Sequence, residues 1–370
     1  MSDGVVLQGL SSDGHETITG PIYLIYKYLK ADPSLCVSVV VPDSVTDIGT
    51  QAFTGCRGIK SVSIPDSVTN IGTGAFSGCT GLTSVDIPNS TIKIGHAVFY
   101  GCTGLTSVSI SNSVTSIGDL AFRGCTGLTS VDIPNSVVSI GYGTFEGCIG
   151  VTSVSIPNSI IDIGREAFEG CTSLASVSIP DSVIDIGNGA FSGCTRLTYV
   201  RIPKSVTHIR NWAFMGCTGL ESVVIPNSIT TIGLAAFQGC SKVTSICIPN
   251  SVTIIEELAF DGCHTLASVS IASSVISIGY GAFGTCRGLN WLTAPKMLCL
   301  PGMISSHPSA YQYAYLGCTP SVSFHEKISF VRQIAEKMNL PWIVTNRIMQ
   351  YLYDDSVFLH LQIEDNSAFF

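Results

Sequence analysis

The chain has 370 residues, enough for a large core, and only 12% are charged, which excludes a disordered chain. A formal net charge of −8 without a long basic run argues against nucleic acid as a general partner. No apolar run reaches the ~18–20 residues that cross a bilayer, and MSDGVVLQGLSSDGHET at the start has neither the basic beginning nor the apolar centre of a secretory signal. The expectation is therefore a soluble, intracellular, cytoplasmic chain with no membrane span, the cell surface being the alternative.

Residues 1–36 precede a regular array and read as an N-terminal cap. After Pro21, the residues Ile22, Leu24, Ile25, Tyr28 and Leu29 fit the apolar face of a helix, and Val37 to Val41 fit a first strand. A cap is expected because the open end of a repeat stack invites aggregation.

From there a 23-residue unit recurs. Phenylalanine returns at Phe53, Phe76, Phe99, Phe122, Phe145, Phe168, Phe191, Phe214, Phe237, Phe260 and Phe283, each followed three residues later by cysteine. A fixed period of this length means a solenoid, in which each unit buries its apolar face only against its neighbours. In one unit, Leu105, Val108 and Ile110 follow L-x-x-V-x-I, so Val108 and Ile110 point to one side of a strand and Ser107 and Ser109 to the other. Pro usually ends the strand, Ser111 and Ala272 being the exceptions. A second apolar pair, Val114 and Ile117, makes a short extended segment. Gly118 then permits a bend with positive φ. The stretch to Phe122 reads as one helical turn or a tight loop, with Phe122 inside. Stacked coils give a parallel sheet, right-handed by the general crossover preference.

Twelve of the fifteen cysteines lie in one repeat column, counting Cys318 in a degenerate last unit. Coils ~4.8 Å apart bring such residues near disulfide distance, but their side chains run parallel. Small buried thiols acting as hydrophobes are the better account. Metal binding lacks C-x2-C pairs, and His15, His96, His208, His264, His307, His325 and His360 are scattered. No phosphate loop, dinucleotide fingerprint or nucleophile elbow is present, so neither an enzyme nor a cofactor is expected.

The pattern I-G-x-x-A-F-x-G-C-x-x-L-x-x-V-x-I-P resembles the leucine-rich repeats of the bacterial surface protein A type (BspA-like), over residues 37–323. The resemblance implies a curved solenoid with the L-x-x-V-x-I strands on its concave face, short turns or helical turns on the other face, and no catalytic residues. Relatives of this type are mostly adhesion or protein-interaction modules.

Beyond Leu289, Leu292 and Ala294, which make a final strand, the register slips. YLGCTPSVSF at 315–324 recovers a degenerate unit, with Tyr315 in the phenylalanine column and Met297 to Pro308 as an inserted loop. Residues 324–370 read as a helical C-terminal cap or tail. Ile328, Val331, Ile334, Ala335 and Met338 have helical spacing, and WIVTNRIMQYL suggests a second helix. LPWIVTNRIMQYL also resembles the L-P…I…Y-L opening of F-box or SOCS-box degradation adaptors, over that one stretch.

Candidate binding residues are those that break the repeat. Tyr199 and Trp291 replace a Ser that precedes the inward Val in the other units. The column between Val and Ile carries Asp86 and Asp132, then Arg201 and Val224. The unit at 196–218 is the most deviant, with Arg196, Lys204, His208, Arg210 and Trp212 as well. Tyr, Trp and Arg are favoured interface anchors. The expected site is therefore a concave-face patch centred on Tyr199, Arg201, Glu221 and Val224; the other reading is neutral drift in exposed columns, with Arg201 and Glu221 as a weak surface ion pair. Its ligand would be a protein or peptide. The alternatives are a ubiquitin-ligase substrate-recognition subunit acting through the tail, and a cell-surface adhesin.

Overall fold

The computed structural model describes residues 5–11, 14–20, 37–289 and 291–293. Two compact units divide the chain, Met1–Leu220 and Glu221–Phe370.

The first unit opens with a hairpin, β1 (Val5–Ser11) and β2 (Gly14–Gly20), paired antiparallel. Strand β1 also pairs antiparallel with β3 (Val37–Val40), the first strand of the repeat stack. From β3 onward pairing is parallel, through Ile59–Ser63, Ser84–Ile87 and Ser107–Ile110. The long-strand series resumes as a separate ladder of Ser130–Asp132, Ser153–Ser155, Ser176–Ser178 and Tyr199–Arg201. The interruption falls beside Ser111, which stands where Pro ends most of the strands; its hydroxyl donates to Asn89 Oδ1 at 2.8 Å and accepts from the Ser113 amide at 3.1 Å.

Each coil also contributes a two-residue strand. Seven of those of the first unit, from Asp47–Ile48 to Asp185–Ile186, form a second parallel sheet. The inward apolar residues are fully or nearly fully buried: Val114 and Ile117 from the short segment, Leu105 from the long one, and every phenylalanine of the repeat column. The rings stack with centroids 5.1–5.6 Å apart and planes within 2–13° from Phe53 to Phe214.

Among the described residues there is no helix, which corrects the expectation of helical turns before each phenylalanine. The reason lies in where the amides go. Phe76 N donates to Val98 O at 2.9 Å and Gly78 N to Tyr100 O at 2.7 Å, each in the following coil. A helical turn would close those amides within its own coil and leave the stack without its third ladder. The chain instead takes two left-handed residues per turn, one in the column of Gly74, Ala97 and Leu120 (φ 62°, 52° and 58°) and one in that of Gly78, Gly101 and Gly124.

The role assigned to Gly118 is likewise corrected. It is not among the positive-φ residues. Glycine is needed there because an added Cβ would lie 2.7 Å from Gly95 C and 2.8 Å from His96 N, in the coil below. Arg210 and Glu256 occupy the same column, so this approach is set coil by coil.

The second unit repeats the plan. Ser245–Ile248, Ser268–Ile271 and Trp291–Thr293 pair in parallel, as do Thr231–Ile232, Ile254–Ile255 and Ser277–Ile278. Its phenylalanines stack at 5.4 and 5.2 Å. The expected N-terminal helix over residues 22–29, the degenerate unit at 315–324 and the helical C-terminal segment lie outside the described residues.

Candidate functional site

The long-strand surface is built from hydroxyls. In each strand the inward Val is flanked by outward residues, as in Ser153, Val154 and Ser155, whose burial alternates exposed, buried, exposed. Parallel pairing in register stacks like on like, Ser130 on Ser153 and Asp132 on Ser155. A threonine column runs beside the strands. Thr106 Oγ1 donates to Thr83 O at 2.9 Å, and Thr83 Oγ1 to Lys60 O at 3.1 Å. These hydroxyls are largely satisfied by the backbone of the coil below, so the face offers short, ordered polar groups that lose little entropy when covered.

Tyr199 and Arg201 interrupt this surface. They lie two residues apart on one strand, both outward, with Val200 buried between them, and Tyr199 is in register with Ser176. Tyr199 is 47% exposed. Arg201 makes its ion pair with Asp181, at 2.9 Å, in the corner that follows the preceding strand. That hydrogen bond holds the Asp181 carboxyl below the usual carboxylate range and leaves about half of the Arg201 side chain open. Asp181 is a partner the sequence reading did not name. Asp86 and Asp132 are also outward on this face, at the coils of Ser84 and Ser130.

Glu221 and Val224 belong to the second unit. Both are exposed, Val224 at 59%, and Val224 closes the strand Ser222–Val224. Trp291 opens the last described strand, in register with Ser268. The expected patch is thus divided between the two units: Tyr199 and Arg201 share one strand, and Glu221 and Val224 sit at the first strand of the other.

A second concentration of Tyr, Arg and Glu lies on the turns of the first unit. The Arg123 guanidinium lies over the Tyr100 ring at 5.7 Å and pairs with Glu146 at 2.7 Å. Arg165 lies over Tyr142 at 5.9 Å and pairs with Glu166 at 2.7 Å. Burial pushes the carboxyls of Glu146 and Glu169 up, and the neighbouring Glu166 adds to both. Sequence reasoning missed this cluster. The signal was present, since Tyr100, Arg123, Glu146 and Glu169 each follow a repeat phenylalanine and stand 23 residues apart.

Among the described residues the cysteine column is built for packing. None of the twelve cysteines of the described residues is in a disulfide, and all but Cys247 are buried. They are not only apolar filler, as the sequence suggested. Nine of the buried thiols donate back to a phenylalanine carbonyl 26 residues earlier, as Cys79 to Phe53 O and Cys102 to Phe76 O at 3.1 Å. Burial pushes the thiols of Cys102, Cys148, Cys217 and Cys263 up to about 12, so the nucleophilic thiolate is suppressed. Among the described residues no group of three or more His, Cys, Asp or Glu could hold a metal ion. No helix among them is long and apolar enough to cross a membrane.

The family model described as a BspA type leucine rich repeat region matches in six copies, over residues 27–152, 93–221 and 138–267. Among solved structures, the chain is similar to a leucine rich cell surface protein of Faecalibacterium prausnitzii A2-165 at 28% identity, over 69% of this chain and 89% of that one, with a TM-score of 0.41. A leucine rich repeat protein of T. pallidum is 29% identical over 50% of this chain and 82% of that one, with a TM-score of 0.41. A leucine-rich repeat protein of Bacteroides ovatus is 23% identical over 78% and 95%, with a TM-score of 0.40. No curated protein matches the chain.

Proposed function

Because the chain belongs to the BspA-type leucine-rich-repeat family, we propose that it is a non-catalytic interaction scaffold whose long-strand face binds a protein or peptide. Stacked-repeat solenoids generally present extended binding surfaces. The observation that carries the reading is the pair Tyr199 and Arg201, outward on one strand amid serines. A rigid aromatic and a planar cation beside small hydroxyls supply the anchor and the low-cost surround of a binding hot spot. Asp86 and Asp132, and on the second unit Glu221, Val224 and Trp291, are the remaining contact residues of this proposal.

The test is capture of partners from lysate of the source cell with the intact chain as bait. A partner retained by the native chain and lost by Tyr199→Ala/Arg201→Ala, with thermal unfolding unchanged, supports the reading. Equal capture by both chains refutes it. Retrieval of ubiquitin-ligase subunits that disappears on deletion of residues 324–370 would favour the degradation-adaptor reading instead.

We place the scaffold inside the cell, which fits twelve cysteines among the described residues with no disulfide between them. Labelling of intact cells with a membrane-impermeant reagent tests this, and a labelled chain would assign it to the cell surface and to adhesion.

A further inference from the structure

The short-strand sheet of the first unit carries a stripe that neither the core nor the long-strand face uses. The residue before each short strand points outward, giving the column Thr46, Thr69, Ile92, Thr115, Val138, Ile161, Ile184 and Thr207. Four of these are apolar and about half exposed: Ile92 and Val138 at 52%, Ile161 at 49% and Ile184 at 58%. All eight are β-branched, so the ridge is stiff at χ1 and loses little side-chain entropy when covered. In-register parallel pairing, Ser116 on Lys93, Ser139 on Asp162 and Asp162 on Asp185, keeps the columns straight at ~4.8 Å per coil.

The neighbouring column is charged, and unevenly. Lys93 lies two coils before Val138, and Asp162 and Asp185 lie one and two coils after it. Asp185 also accepts from Arg210 Nε and an Arg210 terminal nitrogen at 3.0 and 3.3 Å, which leaves this end of the stripe one net negative charge against Lys93. The pattern is therefore complementary to its own reversal.

We propose that two copies of this chain associate face to face through the stripe, their coils running in opposite directions, about a two-fold axis that passes Val138 along the strand direction. Such an axis keeps each column and reverses the order of coils. Val138 meets its own copy, Ile92 meets Ile184, Thr115 meets Ile161, and Lys93 meets Asp185. Ser116 meets Asp162, and Lys93 meets an Asp185 that Arg210 already pairs, so Lys93 is drawn by the net charge of the Asp162–Asp185 end rather than by one carboxylate. The other face-to-face symmetry, with the axis along the stack, would set each coil against itself, so that Asp162, Asp185 and Lys93 each share a level with their own copies and Lys93 meets no carboxylate. An isologous contact of this kind closes on itself and does not propagate into a filament. The five coils from Ile92 to Ile184 span only ~19 Å at one strand spacing per coil. That is a small patch beside the ~1,200–2,000 Å² of stable complexes, so the dimer is weak and concentration-dependent.

Sedimentation equilibrium of the full chain over a wide concentration range is the first measurement. A monomer–dimer equilibrium is expected, weakened about tenfold or more by Ile184→Asp, which places a charge in the apolar ridge. Lys93→Asp should weaken it several-fold, and Lys93→Asp/Asp185→Lys should recover part of that loss. Mild oxidation then reads the register. The Val138→Cys variant should form a disulfide with its own copy, located by mass spectrometry. Ile92→Cys should pair with Ile184→Cys in a mixture and not with itself. Unchanged thermal midpoints show that the variants are folded. A chain monomeric up to ~1 mM, far above the micromolar range in which specific pairs form, overturns the proposal. So does a dimer indifferent to Ile184→Asp, or one that links Ile92→Cys to its own copy.

Discussion

The thiol of Cys171 donates to the Phe145 carbonyl at 3.2 Å from a fully buried position, and that bond changes what a substitution there should do. In a purely apolar column, Ala is gentler than Ser, because a buried hydroxyl without a partner costs about 1–3 kcal/mol. With a carbonyl already in place, the hydroxyl of Cys171→Ser has a partner. Cys171→Ala loses both the sulfur volume and the donor. We expect Cys171→Ala to cost about 2 kcal/mol and Cys171→Ser about 1 kcal/mol. Denaturant unfolding of the two variants checks the order, and a more stable Ala variant would mean that the thiol acts only as filler. Two glycine-related positions test the backbone in the same way. Ala97 holds φ at 52°, in a column where Gly74 and Gly143 do the same without a Cβ. Relief of about 1–2 kcal/mol of left-handed strain outweighs the entropy that glycine adds, so Ala97→Gly should be neutral or stabilising by up to about 1 kcal/mol. Gly118→Ala should go the other way by about 3 kcal/mol or more, because its Cβ meets backbone of the coil below rather than a movable side chain.

At the scale of the element, the N-terminal hairpin is the piece that differs most from the repeat. It adds antiparallel strands to the β3 edge of a sheet that is otherwise parallel. Without it, the amides and carbonyls of Val37–Val40 lose the partners that β1 supplies, and an open edge recruits other chains. Deletion of residues 1–20 should therefore raise light scattering at concentrations where the full chain stays clear. Equal scattering would mean that the edge is covered by something other than β1. The sequence signal for this hairpin is weak, because the register Ser11↔Gly14 puts Gly14 in β2 and takes the pair Asp13-Gly14 off the two positions between the strands. The hairpin also lies outside the 23-residue columns, where no repeat fixes a register. The strands were legible for the opposite reason: Leu105, Val108 and Ile110 repeat at an interval that only one inward face can satisfy. Helical turn and tight loop both stay open in the sequence because these residues suit either, and what decides is whether amides such as that of Phe76 close within the coil or reach the next one. Column reading has the same blind spot at the binding face. It picked out Tyr199 and Arg201 as departures from serine, and both are outward. It could not find Asp181, because that ion pair joins a strand to a corner 20 residues back rather than two members of one column.

Across the whole chain, a repeat turns a small local effect into a large one, because the stability of stacked units is close to a sum over units and their contacts. The buried cysteines show this for pH. Burial raises the thiols of Cys102, Cys148, Cys217 and Cys263 from 9.0 to about 12, and those of Cys125, Cys171 and Cys194 also move up. Below pH 9 both the folded and the unfolded chain hold these protons, and the contribution to stability is fully present. Above it the unfolded chain releases them while the folded chain does not, so the unfolded state binds fewer protons and stability falls as pH rises toward the folded values. Each thiol steepens the fall by up to about 1.4 kcal/mol per pH unit. The unfolding midpoint should therefore be nearly flat from pH 7 to about 8.5 and drop steeply between about pH 9.5 and 12. Lysine and tyrosine titrate in the same range, so the decisive comparison is with Cys102→Ala/Cys148→Ala. That variant is less stable at pH 7, but its loss of stability per pH unit should be shallower by up to about 3 kcal/mol, the share of two thiols. Parallel curves for the two chains would mean that the thiols ionise in the folded state, which the depth of the column and the donation of each proton to a phenylalanine carbonyl both oppose.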